Sequence, residues 1–314
     1  MKKALVLSGG SIKGAFEAGA VKAILEHGYQ PEMLFGISVG SLNCTFLANE
    51  LARQKIENGT TDWVLAGKVL WEFWEKRITQ PKDLVKSKSN LMLLLSLNWA
   101  LVFKKFESIL DTSPLRKLLH EIVKPEIIAQ TPVQLSVGSV NLYTGDLYFA
   151  HPGQENFLEY VMASTAIPVT MPAEMIKNIP HLDGGMRDVA PLGYAINQGA
   201  SELVGVCCQS EKMEPLTFNP KDLVKLISRL MDVIVNETVN NDVKQIERIN
   251  QLLAAHPSVP ANSPLNKYQH VDYNVIRPES EINIDMESFT HTDIVNMLNM
   301  GYAAANKALG SKRW

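Results

Sequence analysis

Apolar residues along this chain fall into short runs separated by stretches of helical spacing. Ala4 to Leu7 is the first run, and Lys3 to Ser8 reads as a buried strand. Ala15, Phe16, Ala18, Gly19, Val21, Ala23, Ile24 and Leu25 then recur at helical intervals and close near Gly28. Pro31 introduces a second strand that enters Met33 to Asn43, and Val39, Leu42, Phe46, Leu47 and Leu51 continue as a helix ending near 49–57. Asn58 to Asp62 predicts a turn that caps a helix over 63–76. Asp111-Thr112-Ser113-Pro114 predicts another helix start, with proline at the first helical position. Val133 to Asn141 alternates and is β-branched, and Tyr143 to Asp146 turns it back into 147–150, a hairpin pattern. A helix over 155–163, a short strand ending at Asp183, a helix opened by Pro191 and a strand over 203–208 follow. The longest helical pattern spans 221–253, a late strand 271–276, and a closing helix 292–309.

The composition changes between Pro81 and Lys105. Lys82, Lys86 and Lys88 precede an apolar block over 91–103, and Lys104 and Lys105 follow it. As a helix this block reaches roughly 20 Å at about 1.5 Å per residue, short of the roughly 30 Å hydrocarbon core of a bilayer. Two readings stay open, a buried helix over the sheet and an interfacial or lid element whose lysine stems bury while their ammonium groups stay in headgroup water. Length and composition, 314 residues with 46% hydrophobic and 20% charged, suit a well-buried enzyme core. The net charge of -3 argues against nucleic acid as a main partner. Cys44, Cys207 and Cys208 have neither a disulfide framework nor metal-ligand spacing, so a reducing cytoplasm is expected. The opening MKKALVLSGG reaches its glycines before a signal-peptide apolar region accumulates.

Four pieces carry candidate chemistry. The turn Ser8-Gly9-Gly10-Ser11-Ile12-Lys13-Gly14 joins a strand to a helix, where unpaired N–H groups and the helix dipole favour an anion. That anion is either a bound phosphate or the oxyanion of acyl transfer. The spacing is not G-x-G-x-x-G, and Lys13 precedes Gly14 where a P-loop needs the reverse, so nucleotide binding ranks second. Gly36-Ile37-Ser38-Val39-Gly40 is G-x-S-x-G in strand-turn-helix context, the setting of a nucleophile elbow. The small-residue stretch Ala163 to Pro168 allows close packing, and Asp183-Gly184-Gly185 places an acid at the end of a strand. Acyl transfer needs a nucleophile, a base and donors aimed at the developing oxyanion. Ser38, Asp183 and the backbone of Gly9, Gly10 and Ser11 can supply them. His181 shares a face with Asp183, which makes a Ser-His-Asp set conceivable, although a structural or substrate-lining histidine is favoured. Arg187 and Asp188 are expected to form a local ion pair.

In this order and spacing the set resembles the patatin-like phospholipase family, from the first strand to DGG and more weakly in the closing helix. The resemblance implies an α/β fold, a three-layer α/β/α sandwich with a mainly parallel central sheet. It implies one domain over 1–314, with core motifs in 1–210, a helical cap-like insertion around 60–125 and a mainly helical part over 219–314. It also implies a Ser–Asp dyad without histidine. Ser38 matches the nucleophile, Asp183 its partner, Gly9, Gly10 and Ser11 the oxyanion-hole loop, and Lys13 the basic position that follows. Many relatives have a third glycine where this chain has Ser11. The implied function is a serine acyl hydrolase of lipid or lysolipid esters, of phospholipase A or lysophospholipase type, needing no metal or organic cofactor. It would work from the cytoplasm with peripheral membrane contact. A non-catalytic lipid-binding or regulatory protein and a nucleotide-binding α/β protein remain the alternatives.

Overall fold

The computed structural model describes residues 1–87, 108–220, 223–256, 258 and 262–310; the apolar block at 91–103 lies outside the described residues. β1 (Lys3–Leu7) runs through a 3-10 turn at Ser11–Lys13 into α1 (Gly14–Glu26). β2 (Met33–Ile37) runs through Ser38 into α2 (Val39–Asn58). α3 (Trp63–Arg77) starts where the Asp62 carboxylate accepts the Leu65 N–H at 2.9 Å. A two-residue ladder of β3 (Lys86–Ser87) and β4 (Leu110–Asp111) precedes α4 (Ser113–Ile122) and the one-turn α5 (Pro125–Ile128). Then come β5 (Gln134–Asn141), β6 (Leu147–Ala150), α6 (Phe157–Ser164), β7 (Glu174–Ile176) and β8 (Ile179–Asp183). α7 (Leu192–Asn197), β9 (Glu202–Val206), α8 (Leu223–Ala255), β10 (Asp272–Ile276) and α9 (His291–Leu309) complete the order.

The main sheet has the order β10-β9-β1-β2-β5-β8-β7, with β6 also on β5. β10, β9, β1, β2 and β5 are parallel, while β6, β7 and β8 pair antiparallel. Along β1 and β2, Leu5, Leu7 and Leu34 join Phe16, Leu47, Leu70 and Leu298 from α1, α2, α3 and α9 on one face. Ala4, Val6, Met33 and Phe35 join Leu192 of α7 and Val235, Val239 and Ile246 of α8 on the other. Burial on both faces is why β1 and β2 read as unbroken apolar runs. The result is the three-layer α/β/α sandwich with a mainly parallel sheet that the resemblance implied. The mainly helical C-terminal stretch also supplies a sheet edge, β10.

β5 acts as the ruler of the molecule. Its residues 137–138 carry β2 on one edge and β6 on the other, whereas residues 139–140 carry β6 and β8. A backbone residue has two edges for ladder pairing, so β8 takes over the edge that β2 leaves. Ile37 is in register with Gly138, and Asp183 with Ser139. The residue after β2 and the last residue of β8 therefore meet, although 145 positions separate Ser38 from Asp183 in the chain.

Candidate active site

Ser38 sits on the turn between β2 and α2 with φ 54 and ψ -128, a backbone state that L-residues rarely adopt. Sterics explain why glycines flank it. A Cβ on Gly36 would lie 2.4 Å from the Gly40 carbonyl oxygen, and one on Gly40 would lie 2.3 Å from that of Leu7. The strand and helix can close this tightly only without those side chains. Polar contacts hold the turn: the Ser38 N–H donates to Ser164 Oγ at 2.9 Å, and Ser164 Oγ donates to the Gly138 carbonyl at 2.6 Å. The Ser38 carbonyl accepts from the Ser41 hydroxyl at 2.6 Å and from the Ser41 N–H at 2.9 Å.

Asp183 is buried at the end of β8, and its carboxyl lies within side-chain hydrogen-bonding reach of the Ser38 hydroxyl. Burial pushes the acid up to about 6; the Ser38 hydroxyl and the Gly185 N–H, which donates to Oδ1 at 2.7 Å, pull in the opposite direction. Gly184 allows this end of β8 to close on β5, because a Cβ there would be 2.5 Å from the Gly138 oxygen. His181 is turned to another task. Its Nδ1 is 3.1 Å from Ser139 Oγ and its ring meets Tyr160 and Tyr148 edge-on, so it takes no part in the contact with Ser38.

The glycine loop lies against the elbow, with a division of labour that the sequence did not reveal. The Gly9 N–H is not free, since it donates to the Val189 carbonyl at 2.9 Å. Gly9 instead provides room: a Cβ there would stand 3.2 Å from Ser38 Cβ. Among the described residues, no hydrogen bond uses the N–H of Gly10, Ser11 or Val39. Ser11 has φ 55, the left-handed region that favours glycine, so a glycine would take this backbone state with less strain than the serine does. Gly10 is required by Cys208, whose Cβ would lie 2.4 Å from an added methyl, and Gly14 by Val39 and Trp74. Lys13 lines a small polar pocket with Gln209, Asp232 and Glu281, separate from the cavity at Ser38.

Residues 5–196 match the patatin-like phospholipase family. The chain belongs to that family. Solved structures to which it is similar include VipD from Legionella pneumophila, at 15% identity and TM-score 0.44, covering 99% of this chain and 67% of that one. ExoU of the Pseudomonas aeruginosa type III secretion system, in complex with SpcU, is similar at 13% identity and TM-score 0.30. That match covers 78% of this chain and 52% of the ExoU structure's chain. A search of curated proteins returns no match. Patatin-like membership supports a lipid acyl hydrolase with a lipid substrate.

This patatin-like chain also carries an apolar pocket lined in part by Ser38. Ser11 and Val39 line it beside the serine, and its walls include Phe46 of α2, Phe73 of α3 and Leu118 of α4. Among the described residues, no helix is long and apolar enough to cross a membrane. Sequence reasoning missed Ser164, Val189 and Cys208, which fix the turn and the loop from distant positions. Ser164 lies in the small-residue stretch 163–168, but a serine there has no local mark of its partner. Among the described residues the expected Arg187–Asp188 pair does not form: Asp188 Oδ1 is buried without a hydrogen-bond partner, and burial first and Asp242 second push the acid up to about 7.

Proposed function

We propose that this protein is a serine acyl hydrolase that cleaves carboxylic esters of lipids, in the manner of a phospholipase A or lysophospholipase. The observation that carries the reading is a buried acid whose carboxyl is acted on by the hydroxyl of Ser38, a serine that also lines an apolar pocket. The cavity suits a fatty acyl chain, since each methylene moved out of water contributes about 0.8 kcal/mol. The ester carbonyl then lies at Ser38, with the alcohol portion outward.

As the carboxylate, Asp183 takes the proton of Ser38 Oγ while the oxygen attacks the carbonyl carbon. Burial, by raising the acid, makes it a better base than an ordinary carboxylate. The oxyanion is received by the free N–H groups of Gly10 and Ser11, with Val39 at the positive end of α2. Collapse expels the alcohol, which leaves with the proton from Asp183, and an acyl-serine remains. Water then attacks that ester, gives a proton to Asp183, and the second collapse returns the proton to Ser38 and releases the fatty acid. Residues 1–314 act in this reading as one patatin-like domain, and the insertion around 60–125 supplies cavity walls through α3 and α4. The enzyme meets lipid from the cytoplasm at a membrane surface.

The test is a lipid hydrolysis panel with product identification, run beside fluorophosphonate labelling. Label at Ser38 and loss of hydrolysis in Ser38→Ala and Asp183→Asn, with both variants folded, are expected. Parental turnover in purified Ser38→Ala would refute the mechanism. An unlabelled Ser38 in a protein that still binds lipid would favour the non-catalytic alternative.

A further inference from the structure

Glu17 of α1 has no place in the reaction just described, yet it is fully buried directly behind the glycine loop. Its Oε2 accepts from Asn43 Nδ2 at 2.9 Å. Asn43 is itself fixed, donating also to the Gly14 carbonyl at 3.0 Å and accepting from Trp74 Nε1 at 2.8 Å. Glu17 Oε1 lies 3.4 Å from Ser8 Oγ. Ser8 Oγ accepts from the Cys208 N–H at 3.0 Å and lies 3.1 Å from the Gly9 carbonyl. Ser8 has a single hydroxyl proton and two acceptors competing for it, the Gly9 carbonyl and the Glu17 carboxyl.

The protonation state of Glu17 decides that competition. As the neutral acid, Glu17 donates its own proton to Ser8 Oγ, and Ser8 then donates to the Gly9 carbonyl. As the anion, Glu17 draws the Ser8 proton to itself, and the Gly9 carbonyl keeps only Gln209 Nε2, at 3.1 Å. The Gly9 carbonyl and the Gly10 N–H belong to one planar peptide, so fixing the first fixes the direction of the second. We propose that Glu17, as the un-ionised acid, is a positioning residue that holds the Gly10 N–H on the oxyanion through Ser8 and the Gly9 carbonyl. This rests on the acyl-hydrolase reading of the site.

The surroundings favour the neutral form. Burial pushes Glu17 up to about 8, opposed by hydrogen bonds from Asn43, Cys208 and Ser8. The groups facing it are Asn43 and Cys44 of α2, Ser8 after β1, and Cys207 and Cys208 after β9. Both the Cys44 and the Cys208 thiols are pushed up by burial first and by Glu17 next; the nearby cation, Lys13, acts on Cys208.

The experiment is the pH profile of kcat/KM on a soluble ester, and of fluorophosphonate labelling of Ser38, for the parent, Glu17→Gln and Ser8→Ala. In the parent both rates should fall above about 8 toward a lower plateau near the level of Ser8→Ala, through kcat and not KM. Glu17→Gln keeps a donor toward Ser8 and cannot ionise, so its profile should stay flat where the parent's falls. Ser8→Ala removes the relay, and its profile should lose the limb while lying lower at every pH; it serves if Glu17→Gln fails to fold. A folded Glu17→Gln, or in its absence Ser8→Ala, that keeps the parental limb overturns this inference alone, as does a parent with no limb. A parent that neither hydrolyses esters nor takes label at Ser38 overturns the acyl-hydrolase reading and this inference with it.

Discussion

Replacing Ser164 with alanine tests whether the elbow is held from outside. The Ser164 hydroxyl accepts the Ser38 N–H at 2.9 Å and donates to the Gly138 carbonyl at 2.6 Å, and Ser164 is fully buried. Deleting it strands one buried donor and one buried acceptor, each costing about 1–3 kcal/mol, so Ser164→Ala should lose about 2–6 kcal/mol. Ser41→Ala is the internal control. The Ser38 carbonyl would keep the Ser41 N–H at 2.9 Å after loss of the Ser41 hydroxyl, so nothing on Ser38 is stranded and the loss should stay near 1 kcal/mol. Urea unfolding followed by circular dichroism gives both values, provided the m-values agree. In addition, the rare backbone state of Ser38 persists only while its surroundings over-determine it. Ser164→Ala should therefore lower kcat more than its stability loss explains at a temperature where it is folded. A loss below about 1 kcal/mol, or no larger than that of Ser41→Ala, refutes the reasoning.

Further outcomes follow from single distances and groups. In the proposed mechanism Asp183 acts as a carboxylate, so kcat/KM should rise with pH through about 6; a profile flat from pH 4.5 to 7 would exclude it as the base. The sign for stability is opposite: between 3.8 and about 6 the folded state holds a proton that the unfolded chain has released. Stability should fall over that window by on the order of 3 kcal/mol, a slope that Asp183→Asn should abolish in pH-dependent urea unfolding. Gly40→Ala puts a methyl 2.3 Å from the Leu7 oxygen, and thermal melting should show a loss of at least about 3 kcal/mol or no folded protein. For the cavity, affinity should rise about fourfold per methylene until the space is filled. Leu118→Trp should shift the preferred ester to shorter chains in a chain-length series.

The parts of this molecule legible in its sequence are those whose cause is local. Ala4 to Leu7 and Met33 to Ile37 read as strands because burial on both faces leaves unbroken apolar runs. Gly36 and Gly40 mark the elbow because the strain is confined to five residues. What stayed hidden depends on partners far along the chain. The Gly9 N–H, expected in the oxyanion hole, is taken by Val189, and no local pattern announces a contact across that distance. β7 escaped notice because it is three residues long, and it turns into β8 through Lys177 and Asn178 at φ 51 and 64, without the glycine that usually flags such a hairpin. Lys13 follows the loop in sequence, yet it lines a different pocket, because the 3-10 turn at Ser11–Lys13 redirects the chain.

The serine and the acid of the candidate site hang from the sheet by unequal tethers. Ser38 continues a strand embedded among parallel neighbours, whereas Asp183 ends a strand that grips β5 through three residue pairs beside a three-residue outermost partner. Fraying begins where such ladders are short. Gentle warming should therefore lift the Asp183 carboxyl away from the Ser38 hydroxyl while the centre of the sheet stays intact, and on the proposed mechanism leave a folded but silent molecule whose activity returns on cooling.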